Sequence, residues 1–272
     1  MLHSIGMTFL ESILLGIVEG ATEFLPISST GHLILASSVL GLPHTEFLKS
    51  FEIAIQLGAI ASVVVLYWRS FLDIELLKRL AAAFIPTGIL GFLLYPYVKE
   101  YLMGNMAVVL WALALGGIAL IIFERWHREL PCSTYEVEHG GKPVGCDVRD
   151  ITYQQSVFIG LFQTLAMVPG VSRSGATIIG GLLLGLRRTV IVEFSFLLAV
   201  PTMLAATGYD MYKNAGVFAA DQFLLLVVGF ITSFIVAMFA IKWLLRFVQT
   251  HSFTSFGVYR LLLVLVFILF VL

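Results

Sequence analysis

Glu19 and Glu23 stand four residues apart inside an apolar stretch, so on a helix both carboxylates project from one face. Two acids among apolar residues need something to offset the cost of burying charge, and carboxylate oxygens suit a hard cation such as Mg2+ or Ca2+. The alternatives are a protonated carboxyl hydrogen-bonded to a serine, or two acids lining a wet cavity. Pro26-Ile-Ser28-Ser29-Thr30-Gly31-His32 follows at once, three hydroxyls, a glycine and an imidazole where a new short helix starts. Helix capping explains any one of those hydroxyls by itself. As a group at a helix N-terminus with free N–H groups, they form a seat for phosphate. His32 lies three residues past Ser29, within reach on one helical turn to act on its proton or on a phosphoryl oxygen. A second loop, Pro169-Gly170-Val171-Ser172-Arg173-Ser174-Gly175, adds an arginine whose planar fork fits phosphate oxygens or pairs with Glu19 or Glu23. Acids for a metal, a hydroxyl or imidazole nucleophile and an arginine clamp are what phosphoryl transfer requires. Broken helices also build transporters, so a carrier or flippase for a lipid phosphate is the competing reading.

The elements that position these groups must lie in lipid. Hydrophobic residues make up 59% of the 272-residue chain and charged ones 12%, with a mean hydropathy of +0.99. That charged share is about half the usual value for a soluble domain, too little to cover a water-facing surface. Apolar runs over 53–68, 80–97, 106–123, 194–209, 223–245 and 256–272 each approach the roughly 17–25 residues needed to cross hydrocarbon, so about six spans are expected. A net charge of −1 offers no basic field to nucleic acid, and residues 1–8 lack a positive n-region, so the first span is expected to serve as its own insertion signal. A purely structural membrane scaffold leaves the embedded Glu19, Glu23, His32 and Arg173 without a reason.

The chain also repeats itself. At an offset of 144 residues Ser12, Gly16 and Glu19 fall on Ser156, Gly160 and Gln163, Ser28-Ser29-Thr30-Gly31 on Ser172-Arg173-Ser174-Gly175, and Gly41-Leu42 on Gly185-Leu186. Each half opens with two apolar pieces too short to span comfortably, 9–25 with 32–42 and 156–168 with 176–186, separated by a polar loop containing proline. Such a loop is tolerated at membrane depth only where protein or a wet cavity satisfies its backbone, which predicts a re-entrant hairpin in each half. Three full spans follow each hairpin, and an odd number of crossings turns the second half upside down. The predicted fold is an all-α polytopic membrane protein of two inverted-topology repeats, 1–123 with a hairpin at about 9–42 and 151–272 with a hairpin at about 155–186, joined by a cytoplasmic linker at 124–150. With residues 69–79 in the cytoplasm, eleven Lys and Arg fall on that side against Lys49, Lys99 and Lys213 outside, and only Arg173 and Arg260 are embedded. Gln56 and Arg260 are expected near the pocket, though helix–helix hydrogen bonds explain them as well. The linker holds Cys132, Cys146, His127 and His139, whose spacing fits no compact zinc finger and whose side disfavours a disulfide, so free thiols are expected.

Gly16-Ile-Val-Glu19-Gly-Ala-Thr-Glu23-Phe-Leu-Pro26-Ile-Ser28-Ser29-Thr30-Gly31-His32, Phe51-Glu52-Ile-Ala-Ile-Gln56-Leu-Gly58 and Pro169-Gly-Val-Ser172-Arg173-Ser174-Gly175-Ala-Thr177 resemble the signatures of the bacterial undecaprenyl-pyrophosphate phosphatase family. The similarity runs over essentially the whole chain, as far as Tyr259-Arg260. The resemblance implies hydrolysis of undecaprenyl pyrophosphate to undecaprenyl phosphate and inorganic phosphate, recycling the carrier lipid for cell-wall synthesis and conferring bacitracin resistance. It further implies dependence on Mg2+ or Ca2+, a bacterial plasma (inner) membrane location with the site open to the periplasm, and a homodimer whose interface is not legible here. Carried onto this chain, Glu19 and Glu23 hold the metal, and Glu23, Ser29, His32 and Arg173 are catalytic; beside them Ser28, Thr30, Gln56, Gln163, Ser172, Ser174 and Thr177 are expected to line the substrate site, although capping alone explains Ser172, Ser174 and Thr177. Ser29 is the preferred nucleophile with His32 assisting, and His32 as nucleophile stays open.

Overall fold

In lipid no water satisfies backbone N–H and C=O groups, so apolar runs of spanning length must close their own hydrogen bonds as helices. The computed structural model describes residues 7–43, 45–102, 105–126, 147–213 and 222–270. Those residues form ten α-helices and no strand: α1 (Phe9–Thr22), α2 (Ser29–Val39), α3 (Glu46–Leu66), α4 (Ile74–Tyr101), α5 (Met106–Trp126), α6 (Tyr153–Gln163), α7 (Arg173–Leu183), α8 (Arg188–Lys213), α9 (Phe223–Phe247) and α10 (Thr254–Phe270). Five of them, α3, α4, α5, α8 and α9, are long and apolar enough to cross a membrane. The expected sixth, α10, is apolar but only 17 residues long, about 25 Å at helical rise, the short end of what spans hydrocarbon. Burial is inverted relative to a soluble protein: Phe92 and Trp111 are 76% and 69% exposed, whereas Glu19 and Arg260 are 0% and 1% exposed. The chain is a multi-pass membrane protein.

The two halves repeat one another in local backbone as well as in residue type. Thr8 and Thr152 each start a helix with a reciprocal capping box, to Glu11 and Gln155 respectively. Ser28 and Ser172 each cap the helix that follows with a positive φ, 71° and 78°, and accept from the N–H of Gly31 at 3.3 Å and Gly175 at 3.2 Å. The helices then exchange partners. α1 of the first half packs on α9 of the second, and α6 of the second packs on α4 of the first. Glycine permits both approaches: a Cβ at Gly16 would lie 2.8 Å from the Gly229 carbonyl oxygen, and one at Gly160 only 2.0 Å from that of Ala83. The first helix of each hairpin, α1 and α6, is thereby held by a long helix of the opposite half.

At the far end of α5 a carboxylate ties three elements together. Arg188 of α8 donates to Glu124 Oε1 through Nε at 2.9 Å and through Nη2, and the Phe253 N–H in the α9–α10 turn donates to Oε2 at 3.2 Å. Removing one member of a buried, fully bonded pair strands the other in a poor solvent. Glu124→Ala is therefore expected to lower stability by about 3 kcal/mol, read as a lower thermal midpoint in detergent, with Glu124→Gln intermediate because it still accepts from Phe253.

Candidate active site

α1 stops at Thr22 because the chain turns at Phe24–Ile27 and runs through Ser28 in a left-handed conformation before α2 begins. That reversal brings Ser29, six residues on, back over the end of α1: its Oγ donates to Oε2 of Glu23. The other Glu23 oxygen accepts from Arg173 Nη2 at 2.9 Å. Arg173 opens α7, its Nη1 donates to the Ser195 carbonyl at 2.9 Å, its guanidinium lies 5.9 Å over the Phe24 ring, and its buried Nε–H has no acceptor. Serine, glutamate and arginine thus form one chain of bonds between the two halves. Two of the alternatives raised by the sequence are realised in it, the serine-to-carboxyl hydrogen bond and the arginine–glutamate ion pair.

Glu19 sits one turn before Glu23, fully buried, and neither of its oxygens has a hydrogen-bond partner. Glu23 from its own helix and Glu52 from α3 are the acids within electrostatic reach of it. Buried carboxylate oxygens are rarely left bare, and two of them beside a second carboxylate are the donor set a hard cation takes. Among the described residues no group of three or more His, Cys, Asp or Glu could hold a metal by itself, so a cation at Glu19 and Glu23 would complete its shell with neutral oxygens of the protein, substrate or water. Cys132, Cys146, His127 and His139 lie outside the described residues.

The structure separates His32 from Ser29. Its Nδ1 is 2.7 Å from the Ser28 carbonyl oxygen and its Nε2 is 2.8 Å from the Tyr259 hydroxyl of α10, with the two rings nearly parallel at 5°. Ser29 Oγ is bonded to Glu23 and not to His32, because the turn through Ser28 points the Ser29 hydroxyl back at α1. Ser174 Oγ donates to the Leu25 carbonyl at 2.7 Å, which binds the second loop to the first, and Thr177 Oγ1 and Ser195 Oγ are 2.7 Å apart beneath Arg173. Ser28 and Ser172 serve as caps. Thr30 is exposed, Gln56 is half-buried, and neither makes a hydrogen bond among the described residues. Gln163 is bonded elsewhere, through Nε2 to Thr87 at 3.0 Å and Thr202 at 3.1 Å, so no hydrogen bond joins it to the Glu23–Arg173 chain.

Arg260 is a brace rather than a phosphate ligand. Its five N–H donors go to five carbonyls: Leu113 and Ala112 of α5 at 3.0 Å each, Gly170 at 2.7 Å and Val171 at 3.1 Å in the second loop, and Pro26 at 3.5 Å in the first. One buried guanidinium holds both polar loops against α5, and nothing of it is left for substrate. Sequence reading passed over Tyr259, Ser195 and Glu52 as site residues. A serine inside the apolar run of α8 and an acid in the Phe51-Glu52 motif were the available signals for the latter two, while Tyr259 had only its place beside Arg260.

Comparison with known proteins extends over the whole site. Residues 12–266 match the family model described as Bacitracin resistance protein BacA. An undecaprenyl-diphosphatase of Sulfurihydrogenibium sp. is 54% identical over 94% of this chain and 97% of its own, and one of Aquifex aeolicus is 53% identical over 97% and 99%. An undecaprenyl-diphosphatase of Wolinella succinogenes is 48% identical over 97% of this chain and 98% of its own.

Proposed function

The chain belongs to the bacitracin resistance protein BacA family, and from that premise we propose how its buried cluster hydrolyses undecaprenyl diphosphate. It is an undecaprenyl-diphosphatase, a hydrolase acting on a lipid inside the membrane. The observation that carries the mechanism is the Ser29–Glu23–Arg173 chain. Ser29 Oγ attacks the terminal phosphorus while its proton passes to Glu23 Oε2, and the bond to the bridging oxygen breaks to release undecaprenyl phosphate. Glu23 gives that proton to the departing undecaprenyl phosphate oxygen; ionised again, it takes a proton from the attacking water and returns it to Ser29 Oγ as inorganic phosphate leaves. Arg173 keeps Glu23 in place through one nitrogen, and its unpaired Nε–H is the donor available to a phosphoryl oxygen as charge develops there. A Mg2+ or Ca2+ ion held by Glu19 and Glu23 would neutralise diphosphate charge and polarise its oxygens. An apolar cavity of about 580 Å3, walled by Trp111, Leu115, Phe162 and Ile179 and bordered by Val171 and Gly175 of the second loop, is the proposed seat for the first part of the polyprenyl tail.

Three contacts support the inverted arrangement. Arg149, just before α6, pairs with Asp73 at the start of α4 at 2.9 Å, and the Tyr153 hydroxyl of α6 meets Glu75 of α4 at 3.1 Å. Ser12 of α1 instead donates to the Leu225 carbonyl at the start of α9, at 2.8 Å. Because α4, α5, α8 and α9 each cross once, the starts of α4 and α9 fall on opposite faces, and so do the entries of the two hairpins. The positive residues put the α4 face in the cytoplasm, giving a plasma-membrane enzyme whose first hairpin enters from the periplasm, where the site opens. The homodimer rests on family resemblance.

The test is phosphate release from a short-chain polyprenyl diphosphate by detergent-purified protein, with and without chelator. Release that stops on chelation and resumes with Mg2+ or Ca2+ is expected. Binding of the diphosphate without release would leave a carrier.

A further inference from the structure

Ser195 lies two turns into α8 and is fully buried. A serine or threonine inside a helix commonly returns its hydroxyl to a carbonyl one turn back, as Thr202 of the same helix does to Leu198 at 2.8 Å. Ser195 instead reaches across to α7, where its Oγ is 2.7 Å from Thr177 Oγ1. Thr177 has one hydroxyl proton, and it lies against two groups that only accept, the carbonyls of Arg173 at 3.1 Å and Ser174 at 3.0 Å. The order of donation is therefore fixed: Ser195 donates to Thr177, and Thr177 donates to the first turn of α7. The Ser195 carbonyl meanwhile accepts from Arg173 Nη1 at 2.9 Å. One residue thus holds Arg173 at both ends, at the guanidinium directly and at the backbone carbonyl through Thr177.

We propose that Ser195 is the positioning residue of the arginine clamp, fixing the guanidinium plane so that its free Nε–H meets the phosphoryl oxygen as charge develops there. The assignment rests on Arg173 acting on that oxygen, as proposed above. Holding both terminal nitrogens defines the plane of a guanidinium. Nη2 is tied to Glu23 of the first half and Nη1 to Ser195 of the second, with the Phe24 ring against the same group. Nε is the guanidinium nitrogen left without an acceptor. A donor fixed in advance needs no reorganisation at the moment of reaction, whereas a misplacement of about 1 Å can cost about 10²-fold in rate. The internal repeat argues for a site role over simple packing. At an offset of 143 residues Phe51-Glu52 falls on Phe194-Ser195, and Gly58 on Pro201. Phe51 and Phe194 are both fully buried, so the residue after each stands in one register on α3 and α8. Glu52 is within electrostatic reach of Glu19, and Ser195 is bonded to Arg173. The third helix of each half lends this position to the site.

Ser195→Ala removes the hydroxyl and keeps the carbonyl. With detergent-purified protein and a short-chain polyprenyl diphosphate, kcat should fall about 10-fold, while affinity for the methylene diphosphonate analogue of that lipid stays within about twofold. Thr177→Val breaks the same link from the other side and should give the same loss, and the double variant should be no slower than either single one. In Arg173→Lys, whose ammonium cannot be held at two nitrogens, adding Ser195→Ala should change kcat by less than about twofold. A merely structural serine would slow both backgrounds alike. Wild-type kcat in Ser195→Ala would overturn the proposal. An undiminished loss on top of Arg173→Lys, or additive losses in the double variant with Thr177→Val, would also overturn it, because the serine would then act elsewhere. A fall in analogue affinity as large as the fall in kcat would overturn it in favour of ground-state binding. Wild-type kcat in Arg173→Lys would overturn the reading of Arg173 itself, and the role of Ser195 with it.

Discussion

Ser29→Ala is expected to lower kcat by about 10³-fold or more, because removing a nucleophile costs far more than removing an assisting group. The hydroxyl is bonded to Glu23 and to nothing else, so its loss deletes the attacking atom without disturbing the Arg173–Glu23 ion pair that joins the halves. Diphosphate binding, read by titration with the uncleaved lipid, should stay within a few-fold of wild type. Glu23→Gln should cost about 10²–10⁴-fold, the range of a general base. The double variant should be little worse than Ser29→Ala, since a base has no task once its nucleophile is gone. Turnover in Ser29→Ala within about threefold of wild type would eliminate the serine and point to direct attack by water. His32 is a poor substitute in this geometry, with one nitrogen on the Ser28 carbonyl and the other on Tyr259.

How far such chemistry could be read from residues alone depended on distance along the chain. Glu19 and Glu23 share a face because four residues is one helical turn, and the structure keeps them so. A bond from a serine to one of the acids was among the alternatives, but its assignment to Ser29 and Glu23 was not legible, since it needs Ser28 at φ 71°, a conformation that serine does not announce as glycine would. Spacing made His32 look like the neighbour of Ser29, whereas its real partner is 227 residues away. The repeat was plain in Gly16 and Gly160, but not what those glycines are for, which is the exchange of α9 and α4 between the halves. Arg260 read as an embedded charge of uncertain use. Only the convergence of five carbonyls from α5 and both loops makes it a brace, and backbone carbonyls leave no mark in a sequence. Gln163 was placed with the acids because it aligns with Glu19; its Nε2 donates to Thr87 and Thr202, contacts that alignment with Glu19 does not foretell.

Glu19→Gln should make the protein more stable and inactive at once. A buried carboxylate with neither oxygen bonded costs several kcal/mol when nothing compensates it, and Glu23 and Glu52 nearby add repulsion. The amide keeps the shape and removes the charge, so in chelator the variant's thermal midpoint should rise by several degrees, at roughly 2–4 °C per kcal/mol for a chain of this size. Wild type should recover the deficit with a divalent cation, gaining about 2.7 kcal/mol at a concentration 100 times Kd. The variant should show little of that gain and release no phosphate. A midpoint in chelator below that of wild type would mean that Glu19 stabilises the empty protein, and the case for a ligand at its oxygens would fall. The expected sign runs against the general rule that substitutions in a packed interior destabilise. It does so because Glu19 accepts from no donor of the protein: its two oxygens are buried at a cost that a proton offsets in the empty site and a bound cation with its diphosphate offsets in the loaded one.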